Sequence, residues 1–211
     1  HADYKLVEAG EGIYKVVAKD YVAQVGDEKF ESLADAIAAA EAGETVELLD
    51  NFTVAATSYS NGYRGIVIGN GITLDGNGYA LTVTGADAGG MNCAVYIDGH
   101  ANIIDLTING GNRALLSNRI DGNITLTNVV LNPNGNYGLN VTMADNANEY
   151  ALTLTGCTLN GWNSYDDVFG TVTFNDCAFG WNVSNTYATL KPQCNTVLNG
   201  CTFAEGFTLD M

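Results

Sequence analysis

Leu152-Thr-Leu-Thr-Gly-Cys-Thr-Leu159, Val172-Thr-Phe-Asn-Asp-Cys-Ala-Phe179 and Thr196-Val-Leu-Asn-Gly-Cys-Thr-Phe203 are three versions of one phrase. The first two open on an apolar–Thr–apolar alternation and the third on Thr196-Val-Leu198; each then breaks at a pair of small polar residues and resumes at a cysteine. Alternation with period two puts Leu152 and Leu154 on one side of a strand and Thr153 on the other. The break at Thr155-Gly156, Asn175-Asp176 and Asn199-Gly200 suits a tight turn, some of them with positive φ.

Upstream the same two strand families continue. One holds Ile72-Thr-Leu74, Asn102-Ile-Ile104 and Ile124-Thr-Leu126. The other holds Leu81-Thr-Val83, Leu106-Thr-Ile108 and Val129-Val-Leu131. A further family precedes them in each unit: Gly65–Ile68, Ala94–Ile97, Ala114–Ser117, Gly138–Val141 and a weaker Tyr187–Leu190. We call this last family the first, and the other two the second and third, in chain order. Positions 81, 106, 129, 157, 177 and 201 of the third family mark the repeat. A unit of three short strands cannot bury its apolar side alone, but stacked units close a continuous core. The expected fold is all-β: a right-handed, single-stranded parallel β-helix of about six three-strand coils. An antiparallel sandwich is the competitor, and it does not ordinarily give three families of equivalent strands.

The opening of the chain reads differently. Tyr4–Val7 and Ile13–Val17 form a hairpin, and Tyr21–Val25 a lead-in strand, so residues 1–25 make one unit and 26–211 the β-helix domain. A capping helix is expected over residues 32–42, with Ser32 as N-cap and Leu33, Ala36, Ile37 and Ala40 on its apolar face, ended by Gly43. Thr45–Leu49 is then a strand. Phe207-Thr-Leu209 reads as the start of one more coil in a longer parent protein.

The stretch from Tyr21 to Leu49, with Gly26-Asp-Glu-Lys-Phe-Glu-Ser-Leu-Ala-Asp-Ala-Ile37, resembles the opening of pectate-lyase-like β-helix domains in secreted and surface proteins of gut bacteria. The Asn/Gly/Cys-rich coils look like the same superfamily. The resemblance implies an extracellular or cell-surface module within a larger multidomain protein. It implies glycan-related roles ranging from lyases and polygalacturonases to tailspikes and adhesins, since one architecture hosts many activities. The Asn-Thr-Asp, Gly-His-Gly and Arg-Ile-Lys segments of polygalacturonases are missing, and Gly99-His100-Ala101 departs from the second of these.

The chain has 211 residues and a formal net charge of -16, from 24 acidic and 8 basic side chains. That balance disfavours a nucleic-acid partner, which needs basic patches. It also disfavours an acidic polysaccharide unless Ca²⁺ bridges the two. No apolar run is long enough to span a bilayer.

Two functional readings follow. The preferred one is a noncatalytic module for glycan or adhesive contact with a host or cell-surface ligand, or a rigid spacer. Its binding residues would be the aromatics between coils: Tyr137, Trp162, Tyr165, Trp181 and Tyr187. Trp162 and Trp181 follow Gly161 and Gly180 at nearly equivalent places and are expected to stack along one edge. The alternative is a polysaccharide lyase or glycoside hydrolase, with Arg113 or Arg119 beside Asp98 or Asp121 as the acid–base set. Against it, the outward first-family positions, Val67, Tyr96, Leu116 and Asn140, carry no carboxylate or base. Asp166-Asp167, in a loop between Trp162 and Val168, is a candidate Ca²⁺ site; no other cofactor is indicated. Cys157, Cys177 and Cys201 are expected as free, inward thiols, Cys93 and Cys194 as surface residues, and His100 as a turn residue.

Overall fold

A computed structural model describes residues 3–69, 71–141, 149–166 and 169–210. The chain winds as a right-handed parallel β-solenoid of about six turns, with an N-terminal helix and a small hairpin. Each turn contributes one strand to each of three sheets. The first sheet collects Gly62–Gly69, Cys93–Asp98, Arg113–Arg119, Tyr137–Val141, Trp162–Tyr165, Thr189–Lys191 and Thr208–Leu209. The second and third sheets collect the other two strand families in the same order. Within the coils all neighbours are parallel.

The Leu/Thr alternation sets this arrangement. Along the second sheet Val46, Leu74, Ile103, Leu126, Leu154 and Phe174 lie in register, coil upon coil, and all are fully buried. Thr45, Thr73, Asn102, Thr125, Thr153 and Thr173 form the matching outward column. Burying a leucine fully stabilises by about 1.5–3 kcal/mol, and the interior is one continuous cluster of such residues.

The breaks between second and third strands have a shared geometry. Asp105, Asn128, Gly156, Asp176 and Gly200 all adopt positive φ, between 48° and 64°. Asn, Asp and Gly tolerate this region better than other residues. The turned amide then points along the solenoid axis. Asp105, Asn128, Gly156 and Asp176 each donate to a carbonyl of the following coil, those of Thr127, Thr155, Asn175 and Asn199, at 2.8–2.9 Å. Side chains reinforce the column, with Asn128 Nδ2 donating to Asp105 Oδ1 at 2.9 Å and Asn199 Nδ2 to Asn175 Oδ1 at 2.9 Å. A second ladder, Asn160 to Asn132 to Asn109 at 2.7 and 3.0 Å, follows the third-sheet strands and was not read from the sequence.

The helix spans Leu33–Ala39, shorter than 32–42. Ser32 is its N-cap, its hydroxyl accepting from Asp35 N at 3.3 Å. Ala40 turns to extended backbone, so Gly43 lies beyond the helix and does not end it. Leu33 and Ala36 pack into the solenoid core, beside the antiparallel strands Ala23–Val25 and Glu28–Phe30. Among the described residues the strands Tyr4–Gly10 and Ile13–Ala18 form a two-stranded sheet of their own, exposed nearly throughout; Lys5 of this hairpin pairs with Glu31.

Three sequence expectations change. Leu81 pairs with Ile108, so the first repeat step is two residues longer than the marker positions suggest. Trp162–Tyr165, read as loop, is a strand of the first sheet between Tyr137–Val141 and Thr189–Lys191. Cys93, expected at the surface, is fully buried. Cys157 and Cys177 are buried free thiols as expected, while Cys194 and Cys201 are half-buried.

Leu154→Ala removes a fully buried side chain midway along the second-sheet column. It should lower the unfolding free energy by about 2–5 kcal/mol in a urea titration followed by far-UV circular dichroism.

Candidate functional site

The outward face of the first sheet gathers the chain's distinctive chemistry. Its strands begin with an outward column in register: Arg64, Cys93, Arg113, Tyr137 and Trp162. A second column, Val67, Tyr96, Leu116, Asn140, Ser164 and Lys191, runs beside it. The outward assignment of Val67, Tyr96, Leu116 and Asn140 holds. What the sequence missed is that Cys93, Tyr96 and Leu116 form a separate apolar patch on this outer side, with Val67 and Met91 packed against it.

Two arginines hold that patch. Arg64 is 1% exposed. Its guanidinium lies 4.9 Å from the Tyr96 ring centroid, and Nη1 donates to the carbonyls of Met91 and Tyr63. Nε has no partner among the described residues. Arg113 Nη1 donates to the Gly90 carbonyl, Nε to Asn140 Oδ1 at 2.6 Å, and its guanidinium sits 4.6 Å from the Tyr137 centroid. Such cation–π contacts are worth about 0.5–2 kcal/mol. Burial pushes the Arg113 pKa down, with the Arg64 charge adding to it.

The alternative acid–base set is split. Arg119 Nη1 meets Asp98 Oδ1 at 3.3 Å, and Tyr59 Oη donates to the other Asp98 oxygen at 2.7 Å. That hydrogen bond, with burial, raises the Tyr59 pKa. Asp121 pairs with His100 Nδ1 at 2.7 Å. Arg113 belongs to neither pair. His100, read as a plain turn residue, is seated between two glycines: a Cβ at Gly71 would approach its Nε2 to 2.6 Å, and one at Gly122 its Cγ to 2.7 Å. Glycine at the equivalent turn of the coils before and after was the sequence signal that this position makes room for a ring. Asp98, His100, Arg119 and Asp121 thus share one corner of the solenoid, where the first sheet passes to the second.

The aromatic residues divide as well. Tyr137 and Trp162 stack at 5.0 Å and 16°, and Trp162 and Tyr187 at 5.8 Å and 25°. With Arg113 above Tyr137 they make one ladder along the axis. Tyr187 reaches it because buried Asn182 accepts from Thr186 N and Tyr187 N, at 2.8 and 3.1 Å, and donates to the Gly135 carbonyl at 2.8 Å. Trp181 does not join Trp162. Its indole donates to the Glu205 carbonyl at 3.1 Å instead. Tyr165 is not a surface residue: it is fully buried, packs 6.0 Å from Phe174, and hydrogen-bonds Thr196 Oγ1 at 2.8 Å. Its inward direction follows from Trp162–Tyr165 being a strand, and burial pushes its pKa up.

Among the described residues no three carboxylate, imidazole or thiol groups converge in a way that could hold a metal ion. Asp167 lies outside the described residues; Asp166 N donates to the Val141 carbonyl at 3.1 Å. No helix is long and apolar enough to cross a membrane among the described residues. No protein-family model, curated protein or solved structure matches the chain. The fold itself is consistent with the pectate-lyase-like superfamily.

Burial pushes the Cys93 thiol up to about 12, against the opposing charges of Arg64 and Arg113. A raised pKa in the folded state means the thiol stabilises the fold fully below its unfolded value of 9.0 and loses that contribution as pH rises to about 12. Cys93→Ala should therefore flatten part of the fall in urea midpoint across that alkaline window. In native protein at neutral pH, Cys93 should be alkylated by iodoacetamide later than the half-buried Cys194 and Cys201 in a peptide-mapped time course.

Proposed function

We propose that this chain is a noncatalytic β-solenoid module of an extracellular or bacterial cell-surface protein. It makes glycan or adhesive contact through the outer face of its first sheet, and its stacked coils act as a rigid support within a larger protein. The observation that carries this reading is the division of labour on that face. Arg113 is engaged with Asn140, Gly90 and Tyr137, while the same sheet gathers tyrosines, asparagines and a serine suited to hydroxyl-rich ligands. The resemblance to surface-protein β-helix domains of gut bacteria points the same way.

The contact residues differ from those a simple aromatic platform would use. Tyr137, Trp162 and Tyr187 spend ring faces on one another, so they offer mainly edges. Tyr63, 50% exposed, and Tyr59, at 37%, offer open ring surface at the other end of the sheet.

A second reading, a polysaccharide lyase or glycoside hydrolase, is favoured by the corner holding Asp98, His100, Arg119 and Asp121. An Asp-oriented imidazole beside an Arg-paired carboxylate has the elements of general acid–base work.

A glycan array scored for binding and for released reducing ends separates the two. The expected result is binding with no product, weakened by Tyr63→Ala while circular dichroism stays unchanged. Product release abolished by His100→Gln or Asp98→Asn would establish the enzyme instead.

A further inference from the structure

Cys157, Cys177 and Cys201 fall at one place in three successive coils. Each stands one residue before Thr158, Ala178 and Thr202, which are register partners along the third sheet. The backbone ties the coils together at this place: Ala178 N donates to the Cys157 carbonyl at 2.8 Å and Thr202 N to the Cys177 carbonyl at 2.9 Å. The two coils before them hold Leu106 and Val129 at the same place. An aliphatic side chain therefore satisfies the packing, and the run of thiols adds chemistry that packing does not need.

The three side chains are aligned alike. Each Sγ meets the carbonyl two residues before it and a carbonyl of the second-sheet strand one coil earlier. These are Thr155 and Leu126 for Cys157, Asn175 and Leu154 for Cys177, and Asn199 and Phe174 for Cys201, at 3.4–3.6 Å. Repeating one orientation from coil to coil stacks the sulfurs in a column along the solenoid axis. Adjacent members have Cα atoms about 4.8 Å apart, within disulfide reach, whereas Cys157 and Cys201, two coils apart, stand at about 9.6 Å, beyond it. The Cys177 thiol is close enough to Cys157 to lower its pKa. Cys157 and Cys177 are 1% exposed, while Cys201 is half-buried. The column has one accessible end.

We propose that Cys157, Cys177 and Cys201 form a thiol–disulfide exchange site for small-molecule disulfides, entered at Cys201 and closing a covalent staple between adjacent coils. The Cys201 thiolate attacks a disulfide such as oxidised glutathione, forms a mixed disulfide and expels one glutathione. Cys177 then attacks the Cys201 sulfur, and its proton leaves with the second glutathione as a thiol. In sum Cys177 and Cys201 lose two electrons and two protons, and one oxidised glutathione becomes two reduced ones. Exchange runs through an attacking, a central and a leaving sulfur in line, and the column supplies that line. Attack of Cys157 on the Cys177 sulfur moves the bond one coil inward and returns Cys201 to a thiol, with no change in oxidation level. Cys177 is thus a partner in every link. Cys93 takes no part, because its register partners are Arg64 and Arg113. Nor does Cys194, which precedes the second-sheet strand Thr196–Asn199. The site is independent of the glycan reading. An oxidising compartment keeps the staple closed and a reducing one opens it.

The test is to incubate the fully reduced, folded chain with oxidised glutathione, quench with N-ethylmaleimide and map the non-reduced peptides. The expected products are Cys177–Cys201 and Cys157–Cys177 links, each lowering the intact mass by two hydrogens, with no Cys157–Cys201 link. Cys201→Ser should abolish both links, because the remaining pair is buried, and Cys194→Ser should leave them intact. The same treatment in urea should scatter links over all five cysteines. A Cys201–glutathione adduct that Cys177 does not resolve, or links through Cys93 or Cys194 in folded protein, overturns the proposal. So do links that persist in Cys201→Ser with an unaltered circular dichroism spectrum.

Discussion

Every coil of this protein completes its backbone hydrogen bonding on its neighbours. A single three-strand turn has an apolar inner side and unpaired amides along both edges, and neither can be left in water or buried alone at acceptable free energy. Stacking solves both at once, but only if the coils stay in register. The second sheet shows how strictly this is kept: its columns pass from coil to coil without a shift. The positive-φ turns after it send their amides to the next coil's carbonyls. Irregularity is displaced to the first sheet, where the register slips after Tyr96 and after Tyr137.

That displacement is what gives the molecule a differentiated face. A sheet held in strict register repeats its side chains and makes uniform columns of threonine outside and leucine inside. A sheet that tolerates shifts can hold an arginine against a tyrosine ring, bury a thiol between two guanidiniums, and line up an asparagine with a serine. The second apolar patch of Cys93, Tyr96 and Leu116 belongs to this face. So do all the basic side chains of the solenoid body. Rigidity comes from the regular sheets, and chemical individuality from the irregular one.

The sequence by itself determined the solenoid. The Leu152–Leu159 phrase and its relatives carry period-two alternation and turn residues with positive-φ tolerance, and both are local properties that survive without knowing the tertiary contacts. It also placed Val67, Tyr96, Leu116 and Asn140 on the outside, and the three repeat cysteines on the inner, apolar side. The tertiary structure alone decided the rest. Trp162–Tyr165 has no alternation of its own and becomes a strand because the coils on either side offer it edges; that is why Tyr165 turns inward. Asp98, Asp121 and His100 are sorted into pairs by the shape of one corner, which spacing does not encode. Gathering Arg64, Arg113, Arg119 and Lys191 on one face depends on coil lengths and bulges together, since a slip of one residue moves a side chain to the opposite side of a sheet.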